Sequence, residues 1–473
     1  MYWTQKYRLV ALATYYIYIY IQSKEYGSEL KVQSHYNIAV IGAGILGTSI
    51  AYFLSSIYGS NVLLIEQERN VAFHTSSRNT GKVHAPILYD PIKKRLFAKA
   101  AFLGYDMWYK YSNYRRQLFK QDGVLEVAVD QKDIDKLEKY REWGEANGLR
   151  PEEEIKILEE NEVKKIEPSV HCSAGLYCSK DASADYGCLT RSLFQDCVSF
   201  GCRILLEHRV KTVTQSGNEG VIMIVHGGGK EKKFTTGFLI NSAGGDALDI
   251  AHSMHLAEGF TDLHFRGEYW EAPSQYRDLT KRSVYCVPQI PEYPFLDPHW
   301  IVRIDGRREI GPNAVPVFGP YAYSWRKNLK YFLPKLVESI GAPGTRKLVF
   351  DRQFLALIST ELKSSVSKSA MINRAKKFLP QLNASAFSRK GTAGVRSLLV
   401  NKDGRFVPDT LIIKEGPSMH ILNYNSPGAT GALPMAAMIV NQLFEDGIVN
   451  YEGHHQKGKA MWDFRIIADK MKA

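Results

Sequence analysis

The rhythm of apolar and polar positions changes sharply at Asn37. Asn37-Ile38-Ala39-Val40-Ile41 is a short apolar run of the kind that forms a strand buried on both faces. It leads into Gly42-Ala43-Gly44-Ile45-Leu46-Gly47, then a helical stretch from Thr48 to Ile57. A second buried strand, Asn61 to Ile65, ends at Glu66. This pattern predicts a βαβ unit. Helical periodicity returns over about Ile92 to Tyr114 and, with dense charges, over Lys132 to Asn147; a strand, Gly123 to Val129, lies between them. Leu189 to Ile204 reads as a helix followed by a strand, His208 to Val213 as a strand, and Phe238 to Gly245 as a buried strand meeting small residues. His264 to Pro312 is strand-rich and Arg352 to Leu379 helical, with strand and turn signals resuming at Gly391. A Gly/Ser/Thr loop, Ser426 to Gly431, opens a helix from Ala432 to Leu443.

No internal repeat or low-complexity tract interrupts this alternation. It predicts two interleaved domains of an α/β protein: a doubly wound nucleotide domain from residues 36–110, 186–258 and 392–445, and an α+β substrate domain from 111–185 and 259–391. Residues 1–35 read as an N-terminal extension and 446–473 as a basic tail.

Composition narrows the function. At 473 residues, 45% hydrophobic and 23% charged, the chain buries a large core without disulfides or metals, which excludes disordered and small secreted classes. The net charge of +12 favours anionic partners, yet the basic residues are scattered and Lys93-Lys94-Arg95 is the densest cluster before the tail; no nucleic-acid partner is expected. Six cysteines (Cys172, Cys178, Cys188, Cys197, Cys202, Cys286) include no C-x-x-C pair, which argues against zinc ribbons and dithiol redox chemistry. His252 and His255 form an H-x-x-H without a third ligand, and His454-His455 lies in a polar tail, so no metal is expected. Near the N-terminus, Leu9 to Ile21 is apolar and aromatic but shorter than the ~20 residues of a spanning helix. The expected location is cytoplasmic, with peripheral contact on the inner face of the membrane.

G-x-G-x-x-G alone is weak evidence, but here it follows a buried strand, opens a helix and has Glu66 at the end of the next strand. Gly42 permits the tight turn, Gly44 lets main chain approach a pyrophosphate, and Gly47 lets helix and strand pack closely. The helix N-terminus offers free N–H groups to phosphate, and Glu66 can accept from a ribose diol while its charge disfavours a 2′-phosphate. A flavin is favoured over NAD. The nucleotide half recurs far downstream, at Leu239 to Gly245, and no second G-x-G-x-x-G marks a separate nicotinamide domain.

These residues carry a resemblance. Gly42 to Gly47 with Glu66, then His74-Thr75-Ser76-Ser77-Arg78-Asn79-Thr80-Gly81-Lys82-Val83-His84, Asn241-Ser242-Ala243-Gly244 and Gly394-Val395-Arg396 resemble the FAD-dependent oxidoreductases of the D-amino-acid oxidase superfamily. Within it the chain is similar to the L-2-hydroxyglutarate dehydrogenase family, through Phe265-Arg266-Gly267-Glu268-Tyr269, Ile310-Gly311-Pro312-Asn313-Ala314-Val315, Asp403-Gly404-Arg405 and Asn425-Ser426-Pro427-Gly428-Ala429-Thr430. The similarity covers about Asn37 to Leu443. It implies a Rossmann-like FAD domain interleaved with the substrate domain, FAD as cofactor, and a dehydrogenase oxidising a small anionic 2-hydroxy acid to the 2-oxo acid. Arg78, Lys82, Pro86 and Leu88 depart from the family pattern, which carries His, Val, Gly and Tyr there.

Roles follow from resemblance and chemistry together. Thr75, Ser76 and Asn79 are expected at the flavin diphosphate, with Val210, Ala243 and Gly244 on the adenine side. Ser426, Gly428, Ala429 and Thr430 supply N–H donors and a helix dipole where charge builds on the reduced flavin. By the resemblance, Arg396 is expected to grip the substrate's anionic group with a bidentate fork. His84 is the candidate base for the hydroxyl proton, with Tyr89 as a further hydrogen-bonding candidate. Arg78, Lys82 and Arg266 complete the expected substrate-binding set. Because Arg78 and Lys82 add cations beyond the family pattern, glycerol 3-phosphate, nearly a dianion on one group, is the alternative substrate. A non-catalytic or tRNA-modifying flavoprotein is the rival class. Electrons are expected to pass to quinone or another carrier.

Overall fold

A run such as Ile38-Ala39-Val40 has no polar face to offer water, so it belongs in the middle of a covered sheet. That is where a computed structural model describing residues 35–472, except 218–219, 289–292, 296 and 451–458, puts it. Strand His35–Ile41 lies parallel to Val62–Ile65 on one side and to Lys230–Asn241 on the other. Arg203–Leu205 extends the sheet beyond Val62–Ile65, and Ser418–Leu422 pairs in parallel with the end of Lys230–Asn241, carrying Leu411–Glu415 at its edge. The antiparallel strands His208–Gln215 and Val221–Gly227 complete eight. Helices Ile45–Tyr58, Tyr186–Ser199 and Gly428–Glu445 cover one face, meeting in a core that includes Ile50, Phe53, Leu193, Leu433 and Val440.

A second, mixed sheet of eight strands runs from Arg389–Lys390 to Ile155–Glu159, with Ser283–Cys286, Val124–Ala128 and His299–Val302 in its interior. Its core packs Val127, Trp300 and Ile310 against Met371, Phe378 and Leu379. Two small sheets stand beside the large ones. One joins Lys82–Val83, Ala182–Ala184 and Phe119–Lys120; the other joins Val315–Val317, Phe260–Gly267 and Gly394–Asn401. The molecule is therefore the mixed α/β protein the alternation predicted.

Several elements differ from the sequence reading. The last long helix starts at Gly428 rather than Ala432, with Pro427 as N-cap: Gly-Ala-Thr-Gly is accommodated because Thr430 and Gly431 pack against the helix Arg95–Tyr114. The stretch 352–379 divides into Arg352–Val366 and Lys368–Ala375, since the Ser367 hydroxyl accepts the Ala370 N–H and caps the second helix. Helices Trp325–Lys330, Phe332–Gly341 and Pro343–Val349 were not anticipated. The described part of the expected basic tail ends in a helix, Phe464–Lys472, whose Phe464, Ile467 and Met471 join the nucleotide-sheet core. It is docked by its apolar face. The aromatic run Leu9 to Ile21 and the pair His454-His455 lie outside the described residues.

Candidate functional site

A cavity of about 310 Å³ lies between the large sheets, floored by the small ones. Its glycine-rich end is main chain. Gly42, at φ +95°, turns the chain where a Cβ would stand 2.6 Å from the Ser242 carbonyl oxygen. Gly47 faces away from the cavity; a Cβ there would meet the Gly42 carbonyl oxygen at 1.9 Å, so helix and strand close only on glycine. The Glu66 carboxylate accepts the Ala43 N–H (2.8 Å) and the Glu68 N–H (2.9 Å); burial outweighs these bonds and raises its carboxyl above the ordinary value. Ser76 Oγ accepts the Ile45 N–H at 2.9 Å and Thr75 Oγ1 donates to the Val395 carbonyl at 3.2 Å. The Asn79 amide holds its own loop, donating to the Thr75 and Ser76 carbonyls and accepting from Gly81. Val210, Ala243 and Gly244 line the same wall, and a Cβ on Gly244 would meet nothing within 4 Å.

The helix Gly428–Glu445 begins at the opposite wall. The Trp108 indole N–H donates to the Ala429 and Thr430 carbonyls (3.0 and 2.9 Å), and Thr430 Oγ1 accepts the His84 N–H at 3.0 Å while bonding the Tyr186 hydroxyl. Neither this helix nor Ile45–Tyr58 carries a side-chain cap of its own, so two helix N-termini direct their dipoles at one cavity. The Gly42–Gly44 turn, the space over Gly244, the carboxylate of Glu66 and the pair of N-termini have the shape and the donors that FAD requires.

Side chains build the remaining end. Strand pairing of Lys82–Val83 with Ala182–Ala184, and of the latter with Phe119–Lys120, brings Lys82, Asp181 and Asp122 together from three distant segments. Lys82 Nζ lies 2.8 Å from Asp181 Oδ1 and 3.1 Å from Asp122 Oδ1, all three groups being almost inaccessible. Burial works to lower the Lys82 ammonium, and the two carboxylates more than reverse it, holding it above its ordinary value. Burial likewise works to raise Asp181, but Lys82 and His84 keep its carboxyl below the ordinary range. Asp181 Oδ2 stands 3.7 Å from His84 Nδ1, and the His84 ring lines the cavity. His84 is thus backed by an ionised carboxylate that a buried lysine keeps ionised.

The remaining predicted cations divide sharply. Arg396, on strand Gly394–Asn401, lines the cavity, and its guanidinium forms neither an ion pair nor a hydrogen bond with any described residue. Arg78 also lines it, but its guanidinium donates to the Phe73 and Ala393 carbonyls and stacks 4.3 Å over the Tyr323 ring. Arg266 is a correction: buried beside Glu268 (2.8 Å), it donates to the Ala322 carbonyl and does not line the cavity. Glu268 in turn accepts from Asn313 and Ser365, so the Arg-Gly-Glu and Pro-Asn motifs form an internal clasp. Tyr89 is a second correction. It packs on Ala98 and Ala101 with its hydroxyl against Ser426, one side chain removed from the cavity. Lys82 does line the cavity, but its ammonium is paired with two carboxylates that lie inside the protein.

Sequence reasoning missed Asp122, Asp181, Tyr269, Tyr285 and His299. The last three line the cavity. His299 stacks on Tyr285 at 4.0 Å, its Nδ1 meets the Asp297 carbonyl, and burial pushes its imidazole down to about 3, so the ring is neutral. The buried Tyr285 hydroxyl has no partner among the described residues and is available to a ligand. Lys82, set between Gly81 and the apolar Val83, is the one local sign of buried carboxylates, and in sequence it reads as a substrate cation instead. His252 and His255 do not share the helix Ala247–His252, and no group of three metal-ligating side chains stands among the described residues.

Comparison with known proteins agrees with this architecture. The chain is similar to a mitochondrial L-2-hydroxyglutarate dehydrogenase of Caenorhabditis elegans, 29% identical across 86% of this chain and 93% of the relative. It is also similar to the L-2-hydroxyglutarate dehydrogenase of Escherichia coli K12, 28% identical across the same shares. Among solved structures, a dithionite-reduced L-α-glycerophosphate oxidase of Mycoplasma pneumoniae with FAD bound superposes with a TM-score of 0.68, at 21% identity, over 91% of this chain and 98% of that one; this likeness is one of fold. The family model for FAD dependent oxidoreductases of the DAO type matches residues 37–442. The chain belongs to that family.

Proposed function

We propose that this FAD-dependent dehydrogenase oxidises L-2-hydroxyglutarate to 2-oxoglutarate. The observation that carries the reading is the convergence, in one cavity, of His84 backed by Asp181 and of Arg396, whose guanidinium has no partner among the described residues. Bound FAD supplies a hydride acceptor at its N5 for the hydrogen on the substrate's C2. Arg396 holds a substrate carboxylate through its guanidinium fork, charge-assisted bonds worth about 1.5–3 kcal/mol each. His84, steadied on its Nδ1 side by Asp181, accepts the hydroxyl proton on Nε2, and the Asp181 charge stabilises the imidazolium that forms. Asp181 and Lys82 act as positioning residues. The Tyr285 hydroxyl donates to a substrate oxygen, and neutral His299 keeps a second cation out of that wall.

The case for glycerol 3-phosphate rested on Arg78 and Lys82 as extra cations for a phosphate dianion. Lys82 is matched by two carboxylates and Arg78 is occupied by carbonyls and a ring, which leaves Arg396 for a carboxylate. The relatives' names point the same way. Electrons leave to quinone or another carrier, with the chain peripheral on the cytoplasmic, inner face of a membrane; among the described residues no helix is long and apolar enough to cross one. The test is product formation with an artificial dye as acceptor. L-2-Hydroxyglutarate should yield 2-oxoglutarate and the D-enantiomer nothing; equal turnover of the two would overturn the stereochemical part of the reading, and turnover of neither the substrate assignment.

A further inference from the structure

Helix Phe332–Gly341 is turned inside out. Leu333, Leu336, Val337 and Ile340 fall at i, i+3, i+4 and i+7, the spacing that puts four side chains on one stripe. In a helix serving only the core that stripe faces inward. Here it faces solvent, with Leu333 69% and Val337 72% exposed, while the buried side chain is Lys335, bonded to Asp262 and Glu338. The exposure continues along the chain: Phe350 is 76% exposed, and on Arg352–Val366 the side chains of Leu355, Leu362 and Val366 are exposed in turn.

Soluble proteins rarely leave so much apolar surface uncovered without a partner. The charge around it says which partner. From Arg326 to Val366 there are eight Lys/Arg against three Asp/Glu, and one of the three, Glu361, is buried. Arg346, Lys347, Arg352 and Lys363 are exposed beside the apolar side chains. Apolar side chains flanked by cations are the chemistry that inserts at an anionic lipid surface, with the former entering the headgroup boundary and the latter meeting lipid phosphates. The salt-bridged Lys335 fixes the orientation, because its partner Asp262 also lines the FAD cavity.

We propose that the helices between residues 332 and 366 form a docking face that seats this protein on anionic membranes. The inference rests on the peripheral membrane location proposed above and is independent of the substrate assigned there. Full-length protein is sedimented with vesicles of phosphatidylcholine plus phosphatidylglycerol, and with phosphatidylcholine alone, alongside the double variant Leu333→Glu/Val337→Glu. The wild type should sediment with the anionic vesicles, more weakly with neutral ones and more weakly at high salt. The double variant should bind at least tenfold less while keeping bound flavin and its reduction in solution at wild-type levels, which shows it folded. The proposal is overturned if the wild type ignores anionic vesicles or if the variant sediments as the wild type does. It is also overturned if the wild type is a dimer that the variant converts to monomer, for then a second copy covers the face.

Discussion

At the glycine-rich end of the cavity the walls are main chain: Gly42, Gly44 and Gly244, with the first turn of one helix, within short reach of a single sheet. At the other end the working groups are side chains, His84, Arg396, Tyr285 and His299, delivered by four separate strands or loops and adjusted by Lys82, Asp122 and Asp181 behind them. The first end binds by shape and N–H donors that any sequence with the right glycines supplies. The second depends on charges matched inside the protein, and the Arg396 guanidinium has no such match among the described residues. The two ends should therefore fail differently when altered.

The largest effect is expected at the main-chain end. Gly47→Val places carbon where the Gly42 carbonyl oxygen already stands, so the βαβ unit cannot close. The variant should purify colourless or aggregate, read from flavin absorbance per mole of protein. If it retains a full complement of flavin, that close approach does not build the nucleotide site.

At the side-chain end flavin should stay bound while chemistry fails. His84→Ala is expected to slow anaerobic flavin reduction by about 10²–10⁴-fold near neutral pH, the range of a lost general base, with partial recovery as pH rises. Asp181→Asn keeps the imidazole but loosens it, and a smaller loss of roughly 10²-fold is expected from misplacement. Stopped-flow traces showing unchanged rates in both variants would remove the pair from the reaction. Arg396→Leu should raise the half-saturating substrate concentration about 10²–10⁴-fold, the loss of about two charge-assisted bonds, with flavin content untouched. Parallel loss of flavin would move Arg396 to the cofactor's side of the cavity.

A smaller effect separates the second sheet from the first. Glu126 is buried in strand Val124–Ala128 with neither carboxylate oxygen hydrogen-bonded, and burial, with the Asp297 charge, pushes its carboxyl up to about 8 from an ordinary 4.5. Between those values the folded chain holds a proton that the unfolded chain releases. The group's contribution to stability is thus complete below about pH 4.5 and is lost as pH rises through about 8. Glu126→Gln removes that loss, so its melting temperature relative to wild type should climb from pH 5 to pH 8 and level off above. A constant difference across that range would mean that Glu126 is ionised in the folded protein.

Much of the first end was legible in the sequence. The apolar run Asn37 to Ile41, the G-x-G-x-x-G and Glu66 lie within thirty residues, and local spacing alone encodes their meeting. The second end was legible only where resemblance named it, at His84 and Arg396. Asp181 and Asp122 carry no motif; they reach Lys82 because three short strands pair, and pairing between segments 65 and about 100 residues apart leaves no periodic trace. Arg266, quoted for its distinctive motif, serves the clasp with Glu268 instead, since a motif marks a constraint without saying whether it is structural. The helices from 325 to 349 were missed because their apolar stripe is interrupted by Pro334, Gly341 and Pro343, and because it faces out.

The central claim is that an uncommitted Arg396 and an Asp181-backed His84 make this cavity a site for a carboxylate-bearing secondary alcohol. Anaerobic titration of the bound flavin tests it most directly, following the loss of oxidised-flavin absorbance as each compound is added. L-2-Hydroxyglutarate should bleach the flavin to completion at stoichiometric amounts, and glycerol 3-phosphate should leave it yellow. Bleaching by glycerol 3-phosphate with no response to L-2-hydroxyglutarate would contradict the account.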